Sequence, residues 1–321
     1  MVRQREGGAG FVRVLVTGGT GYLGRAIVRE LARRGHDPIV FSRRATATTD
    51  LPGTRIDGDV RDRDSVLAAA RGVDAVCHTA ALVRVWHPDA ADFDRVNVGG
   101  LETVVDVCIA LKTRRLLYTS SFLALPPAGR SRALEANDYQ RSKVRAREVA
   151  RTAAARGVPI VSLVPGVIYG PGAVTEGNLV GRLVRDHLAG RLPGIVGADR
   201  TWSFSFVDDV ADAHVSALEA GQPGQEYVVG GENVPQIRLF QLLREIAGVP
   251  LPRRVPASVA QAFALIEELT AGRSRSPRLT RGTVKILQRD WPLDSSRSVQ
   301  ELSYRTTPLF SGIRTMLRRG F

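Results

Sequence analysis

The sequence predicts an α/β fold: a doubly wound parallel sheet that carries a smaller, mostly helical C-terminal lobe. Three observations lead there. Short apolar runs alternate with helical patterns through the first half of the chain. A glycine-rich turn follows the first of those runs. Beyond Pro165 the alternation fades and helical patterns dominate. Strands separated by helices imply βαβ units, and βαβ units imply parallel strands covered on both faces.

Taken in order, residues 12–17 form the first apolar strand pattern. A helical stretch runs from Tyr22 to Arg34, with Ile27, Val28 and Leu31 on one face and Gly35 placed to stop it. A second strand begins over 38–41. The spacing then predicts a strand near 54–58, a helix over 64–71, a strand over 73–78, a helix over 92–111 and a strand over 114–119. A helix over 138–156 and a strand over 158–164 complete the alternating half. Gly and Pro recur at 166 and 170–172. Helical patterns follow at 178–190, 209–220, 236–247, 257–271 and 308–319, with one further strand at 225–229. The expected organisation is a flexible tail over 1–10 and a cofactor-binding domain over 11–170, to which 203–230 returns. Residues 171–202 and 235–321 are expected to form the substrate lobe.

Composition narrows the class. The chain has 321 residues, enough for one large α/β domain with a smaller partner. No apolar run reaches the ~18 residues of a membrane helix. The charged, Gly-rich start has no apolar core and does not read as a signal peptide. Cys77 and Cys108 are the only cysteines, so neither a disulfide framework nor a metal-ligand spacing is expected, and a cytoplasmic location is. The net charge of +13 comes from scattered Arg, with Lys only at 112, 143 and 285. That scatter lacks the clustering expected of a nucleic-acid partner and suits phosphorylated small molecules better.

Residues 17–24 read Thr-Gly-Gly-Thr-Gly-Tyr-Leu-Gly, directly after a strand and opening a helix. A Gly pattern alone is weak; this context makes it a dinucleotide-binding fingerprint of the Rossmann type. Gly18 and Gly19 make the tight turn, Gly21 lets backbone approach a pyrophosphate, and Gly24 lets helix pack close to strand. The N–H groups around Tyr22 and Leu23 then face the phosphates at the positive end of the helix dipole. The second strand ends Phe41-Ser42-Arg43-Arg44, with no acid to bind a ribose 2′-hydroxyl. Arg43 and Arg44 can bridge a 2′-phosphate, so NADP(H) is expected ahead of NAD(H).

The strand over 114–119 runs into Ser120-Ser121, and Tyr139-Gln140-Arg141-Ser142-Lys143 follows. Tyr and Lys four apart share one helix face. An ammonium one turn from a phenol is expected to lower its pKa from ~10. Such a phenol can exchange a proton with a substrate oxygen near neutral pH. Ser121, at a strand's C-terminal end, would hold that oxygen. The catalytic set is therefore Ser121, Tyr139 and Lys143. His78 and His214 read as packed polar residues.

The motifs as a set resemble the extended short-chain dehydrogenases/reductases, the NAD-dependent epimerase/dehydratase superfamily. They are Thr17–Gly24, Gly58–Asp62, His78–Ala81, Asn97–Gly100, Tyr118–Ser121, Tyr139–Lys143, Pro165–Gly172 and Phe206–Val210. The look is closest to dihydroflavonol-4-reductase-like and 3β-hydroxysteroid-dehydrogenase-like proteins. The resemblance implies that Gly18, Thr20, Gly21, Tyr22, Leu23 and Gly24 cradle the cofactor. It implies further that Asp59 and Val60 meet the adenine, that Thr79, Ala80 and Ala81 line the cleft, and that Pro165 and Val167 border the nicotinamide. Lys143 would also bind the nicotinamide ribose. Asp59 capping a turn and Asn97 as a plain helix residue stay open as simpler readings. Dimers are common in that family, so a homodimer is an implied partner.

Two departures from the sugar-nucleotide branch concern the substrate. The place of its diphosphate-binding Arg is taken by Trp202, which offers apolar area and one N–H. Arg200 stands nearby and keeps the sugar reading open. The segment between Ser121 and Tyr139 is short, leaving little room for an elaborate substrate loop. The leading expectation is an NADP(H)-dependent ketoreductase or alcohol dehydrogenase acting on a mostly apolar small molecule, with Trp202 in its pocket. The alternatives are a nucleotide-sugar epimerase or dehydratase with tightly bound NAD, and a non-catalytic NADP-sensing regulator.

Overall fold

The computed structural model describes residues 12–272 and 276–320. The tail expected over 1–10 lies outside them. The first half runs β1 (Arg13–Thr17), α1 (Tyr22–Arg33), β2 (Asp37–Ser42), β3 (Thr54–Asp57), α2 (Arg63–Ala70), β4 (Ala75–His78), α3 (Ala91–Asn97), α4 (Gly99–Leu111), β5 (Arg115–Thr119), α5 (Asp138–Ala155) and β6 (Ile160–Pro165). The second half runs β7 (Val167–Tyr169), α6 (Leu179–Leu188), β8 (Thr201–Phe206), α7 (Val207–Ala220), β9 (Glu226–Val229), β10 (Glu232–Pro235), α8 (Ile237–Ala247), α9 (Ala257–Leu269), α10 (Arg281–Leu287), α11 (Ser296–Leu302) and α12 (Leu309–Arg319).

Seven strands form one sheet in the order β3-β2-β1-β4-β5-β6-β9, every pair parallel. Alternate residues of β1 supply both faces, as the two-residue period requires. Val14 and Val16 join Ile27 and Leu31 of α1 and Val210 and Ala213 of α7. Leu15 faces the other way, into Val66 of α2, Val104 of α4 and Ala146 of α5. The chain leaves β1 toward β2 on one side and reaches β4 on the other. This is the topological switch point, and ligand crevices in such sheets open outside the strands' carboxyl ends.

The chain also departs from its sequence-based expectations. The helix expected over 92–111 is two helices, broken at Val98 (φ −96°, ψ −61°) just before the Gly99-Gly100 pair. Three strands are added by β7, β8 and β10, which form a second sheet in the order β10-β8-β7. Residues 201–206, Thr-Trp-Ser-Phe-Ser-Phe, alternate as a strand should, with Trp202, Phe204 and Phe206 packed against α8 and α12. Residues 203–206 thus belong to this second sheet, while β9 of the same 203–230 stretch enters the main one. The helices α10 and α11 were not anticipated either. Within 235–321, α11 lies against α7 and β9, and Leu302 and Tyr304 enter the main-sheet core. Ser298 Oγ donates to Val228 O at 2.6 Å and Tyr304 Oη to Gly230 O at 2.7 Å, which fixes that return.

Candidate active site

The glycine-rich turn is closed by backbone: Gly18 N donates to Phe41 O and Gly21 N to Gly18 O, both at 2.8 Å. Gly18 has φ +71°, and a Cβ there would stand 2.7 Å from the Ala80 main chain. A Cβ on Gly24 would stand 2.2 Å from Gly18 O. No side chain caps α1 at Gly21, so the first N–H groups of the helix, at Tyr22 and Leu23, take no side-chain acceptor there. A glycine-floored turn against an uncapped helix N-terminus fits a dinucleotide pyrophosphate. Thr20 Oγ1 donates to Ser42 Oγ at 3.0 Å, tying the turn to the end of β2. The Tyr22 ring points away, its hydroxyl donating to Gly170 O at 3.0 Å. Thr79 closes the other wall: its N and Oγ1 donate to Thr17 O at 3.1 and 2.7 Å. Ala80 and Ala81 continue that wall, half-buried.

At the end of β2, Arg43 and Arg44 are exposed, and neither is in an ion pair among the described residues. Asp59 accepts from Arg61 Nε and Nη2 at 3.0 and 2.7 Å, and Arg61 holds its carboxyl below the usual range, with Arg43 a weaker contributor. Asp59 also accepts from Arg61 N at 3.0 Å, so it does cap a turn. Val60 is buried under Gly100. Pro165 and Val167 are buried at the end of β6 and the start of β7.

Ser121, Tyr139 and Lys143 converge at the carboxyl end of β5. Ser121 opens a 3₁₀ turn over Phe122–Ala124, its Oγ accepting from Leu123 N at 3.2 Å. Its hydroxyl also faces the half-buried phenol of Tyr139, near enough to oppose the rise in that phenol's pKa. Lys143 is buried under the strand end, its Nζ donating to Thr119 O at 3.1 Å and lying 5.5 Å from the centre of the Tyr118 ring.

The electrostatics correct one expectation. Burial pushes the Tyr139 phenol up to about 12, with the Ser121 hydroxyl opposing it, and Lys143 does not lower it. The ammonium is spent on a strand carbonyl instead of the phenol, and its own pKa is lowered by burial to about 8. Around neutral pH the free chain therefore holds a protonated phenol beside a charged but destabilised lysine. His78 bonds Thr17 Oγ1 through Nδ1 at 2.8 Å, and burial, then Lys143, lowers its pKa to about 3. His214 is fixed between Val210 O at 2.7 Å and Thr119 Oγ1 at 2.9 Å, and burial lowers its pKa to about 4. Both rings are neutral packing elements.

Asn97, named above only as part of a motif, and Gln140, not named at all as a site residue, tie the segments around Tyr139 together. Asn97 accepts from Leu82 N at 2.7 Å and donates to Ser142 Oγ at 2.8 Å, while Ser142 Oγ donates to Tyr139 O at 2.8 Å. It couples the Thr79–Leu82 segment to the helix that carries Tyr139. An Asn just before Val-Gly-Gly marks a helix interruption, and that signal was available. Gln140 accepts from Ala136 N at 2.9 Å and donates to Leu123 O at 3.0 Å, clamping the start of α5 to the turn after Ser121. Leu123 O lies 17 residues earlier in the chain, and nothing local in the sequence points to it.

Trp202 is buried, its ring centroid 5.7 Å from that of Phe122, and its N–H donates to Arg289 O at 3.0 Å. Arg200 pairs with Asp290 at 3.1 Å. Among the described residues no His, Cys, Asp and Glu cluster could hold a metal, and no helix is long and apolar enough to cross a membrane.

Residues 14–230 match the NAD dependent epimerase/dehydratase family. The chain is 33% identical over 306 residues to sterol demethylase protein B of Methylococcus capsulatus, covering 90% of this chain and 92% of that one. It is 29% identical over 308 residues to a putative dihydroflavonol 4-reductase of Synechocystis, covering 89% and 88%. The solved structure of gox2253 superposes with a TM-score of 0.81 at 28% identity, over 95% of this chain and 97% of that one. The chain belongs to the NAD dependent epimerase/dehydratase family and is an NAD(P)-dependent oxidoreductase of the extended short-chain dehydrogenase/reductase type.

Proposed function

We propose that the chain is an NADP(H)-dependent ketoreductase or alcohol dehydrogenase for a mostly apolar small molecule. The observation that carries this reading is the meeting of a protonated Tyr139 phenol with the Ser121 hydroxyl at the end of β5, beside the glycine-rich turn. The cofactor, when bound, supplies the hydride that reduces a carbonyl carbon. Ser121 and Tyr139 orient the carbonyl oxygen, and Tyr139 gives it the proton that completes the alcohol. Lys143, charged beneath Tyr139, holds the ribose of the cofactor.

Two features support an apolar substrate over a nucleotide sugar. Trp202 is buried in the core of the second sheet with its N–H used by Arg289 O, so it offers no polar group to a diphosphate. Arg200 is committed to Asp290. The two relatives named above carry the names of a sterol and of a dihydroflavonol, which are mostly apolar small molecules.

The preference for NADP(H) rests on Arg43 and Arg44, exposed and outside any ion pair among the described residues, where an acid would select NAD(H). Titration of wild type and Arg43→Ala with both reduced cofactors tests it. The expected result is a loss of at least about tenfold for NADPH and little change for NADH. Equal losses for both would remove the assignment.

A further inference from the structure

Residues 171–177 touch both walls of the crevice at the switch point. β1 and β4 are parallel neighbours with Thr17 level with His78, and the chain leaves their carboxyl ends separately. One wall is Tyr22, which opens α1 after the glycine-rich turn. The other runs from Thr79 through Ala81 to Arg84. Where the segment starts, Tyr22 Oη donates to Gly170 O at 3.0 Å, and a Cβ on Gly172 would stand 3.3 Å from the Tyr22 ring. At its far end Glu176 is ion-paired with Arg84.

The segment is built to move as one piece. Thr175 N donates to Ala173 O at 2.9 Å and Asn178 N to Thr175 O at 3.0 Å, so the turn is closed by its own bonds. Gly170 and Gly172 precede it at φ +143° and +125°, conformations that other residues rarely adopt. Asn178 follows, its Oδ1 accepting from Gly181 N at 2.9 Å to start α6. Within 172–177 only Val174 is half-buried, and the other five residues are exposed. None of their side chains enters a hydrophobic cluster of the described residues. The ion pair is therefore what holds the far end. Its post is fixed, because Leu82, two residues before Arg84, is clipped by Asn97 Oδ1 at 2.7 Å. The paired side chains are 40% and 50% exposed, which makes a weak and reversible tie.

We infer that residues 171–177 are a strap across the cofactor crevice, latched by Arg84 and Glu176, and that opening of the latch sets how fast the dinucleotide enters and leaves. An extended dinucleotide cannot pass between two walls that the strap bridges, so the strap must swing away first. The inference rests on the cofactor site and not on the substrate proposed above.

A gate and a direct contact leave different signatures. Loosening a gate speeds entry and exit alike and leaves the equilibrium affinity in place, whereas loss of a contact speeds exit alone and weakens binding. The test is stopped-flow fluorescence of NADPH on the full chain, for association and for displacement by excess NADP+. If NADH proves the better ligand it replaces NADPH in the same measurement, so an error in cofactor choice does not decide the outcome. Glu176→Gln is expected to raise both rates about two- to fivefold, the range open to an exposed ion pair, with Kd and melting temperature nearly unchanged. The double variant Arg84→Glu, Glu176→Arg rebuilds the pair with its charges exchanged and should return both rates toward wild type. Unchanged rates in Glu176→Gln would overturn the inference. So would a rise in Kd that matches the rise in exit rate, or a double variant as fast as the single one.

Discussion

The glycine-rich turn and the end of β5 lie at the same edge of the sheet, yet they are built on opposite principles. The turn works by what it lacks. A Cβ at Gly18 or Gly24 would stand 2.2–2.7 Å from neighbouring backbone, so the fold and the proposed cofactor cradle are one object. The end of β5 works by what it tolerates. A phenol raised to about 12 and an ammonium lowered to about 8 sit in low-dielectric surroundings, and both shifts are caused by burial. The contrast teaches that damage to the turn should lower stability and binding together, whereas damage at β5 should separate stability from activity.

The largest effect should come from the catalytic end. Tyr139→Phe keeps the ring and removes the phenolic oxygen proposed as the proton donor. Turnover is expected to fall by about 10²–10⁴-fold, with NADPH affinity and melting temperature nearly unchanged. Reduction kinetics, a cofactor titration and a thermal melt check the three together. Near-normal turnover on the true substrate would show that the phenol is not the acid and that another group supplies the proton.

The turn should behave in the opposite manner. Gly24→Ala places a methyl group 2.2 Å from Gly18 O, so α1 must move away from the strand end. A loss of about 1–3 kcal/mol in unfolding free energy is expected, with weaker NADPH binding in the same variant. Denaturant unfolding and a titration on one preparation measure both. Weaker binding at full stability would mean that helix and turn adjust independently, and the contrast would fail.

The same contrast explains what could be read before the fold was known. The turn was legible because its chemistry is local: strand, glycines and helix follow one another within a dozen residues. Ser121, Tyr139 and Lys143 were legible as residue types at a helical spacing, but their electrostatics were not. Lys143 aims at Thr119 O, a partner on another element, and only the fold sets that direction. The roles of Asn97 and Gln140 escaped in part for the same reason, since Asn97 reaches Leu82 and Ser142, and Gln140 reaches Leu123, across the fold. The second sheet is a different case. Its alternation over 201–206 was in plain view, and a helical reading of the lobe hid it. The return of α11 to β9 had no local signal, because it rests on single bonds such as Ser298 Oγ to Val228 O.

The smallest effect expected is also the one that separates the two regions by sign. Lys143 has a folded pKa of about 8 against an ordinary value of 10.5. Burial causes this, so the charged form is what the fold pays for. Below about pH 8 both folded and unfolded chains carry the proton, and the cost is fully present. Between about 8 and 10.5 the folded chain has released it while the unfolded chain has not, so the cost shrinks as pH rises. Lys143→Met removes the charge and also the bond to Thr119 O, which offsets part of the gain. The cofactor-free variant is therefore expected to be more stable than wild type by about 1–2 kcal/mol at neutral pH, with the advantage fading above pH 8. With NADPH present the order should reverse, since the variant loses the ribose contact and with it the stabilisation that ligand binding brings. Melting curves across pH, with and without NADPH, read all of this. A destabilised cofactor-free variant at neutral pH would mean that the Thr119 bond outweighs the burial of charge, and that the end of β5, like the turn, joins stability to function.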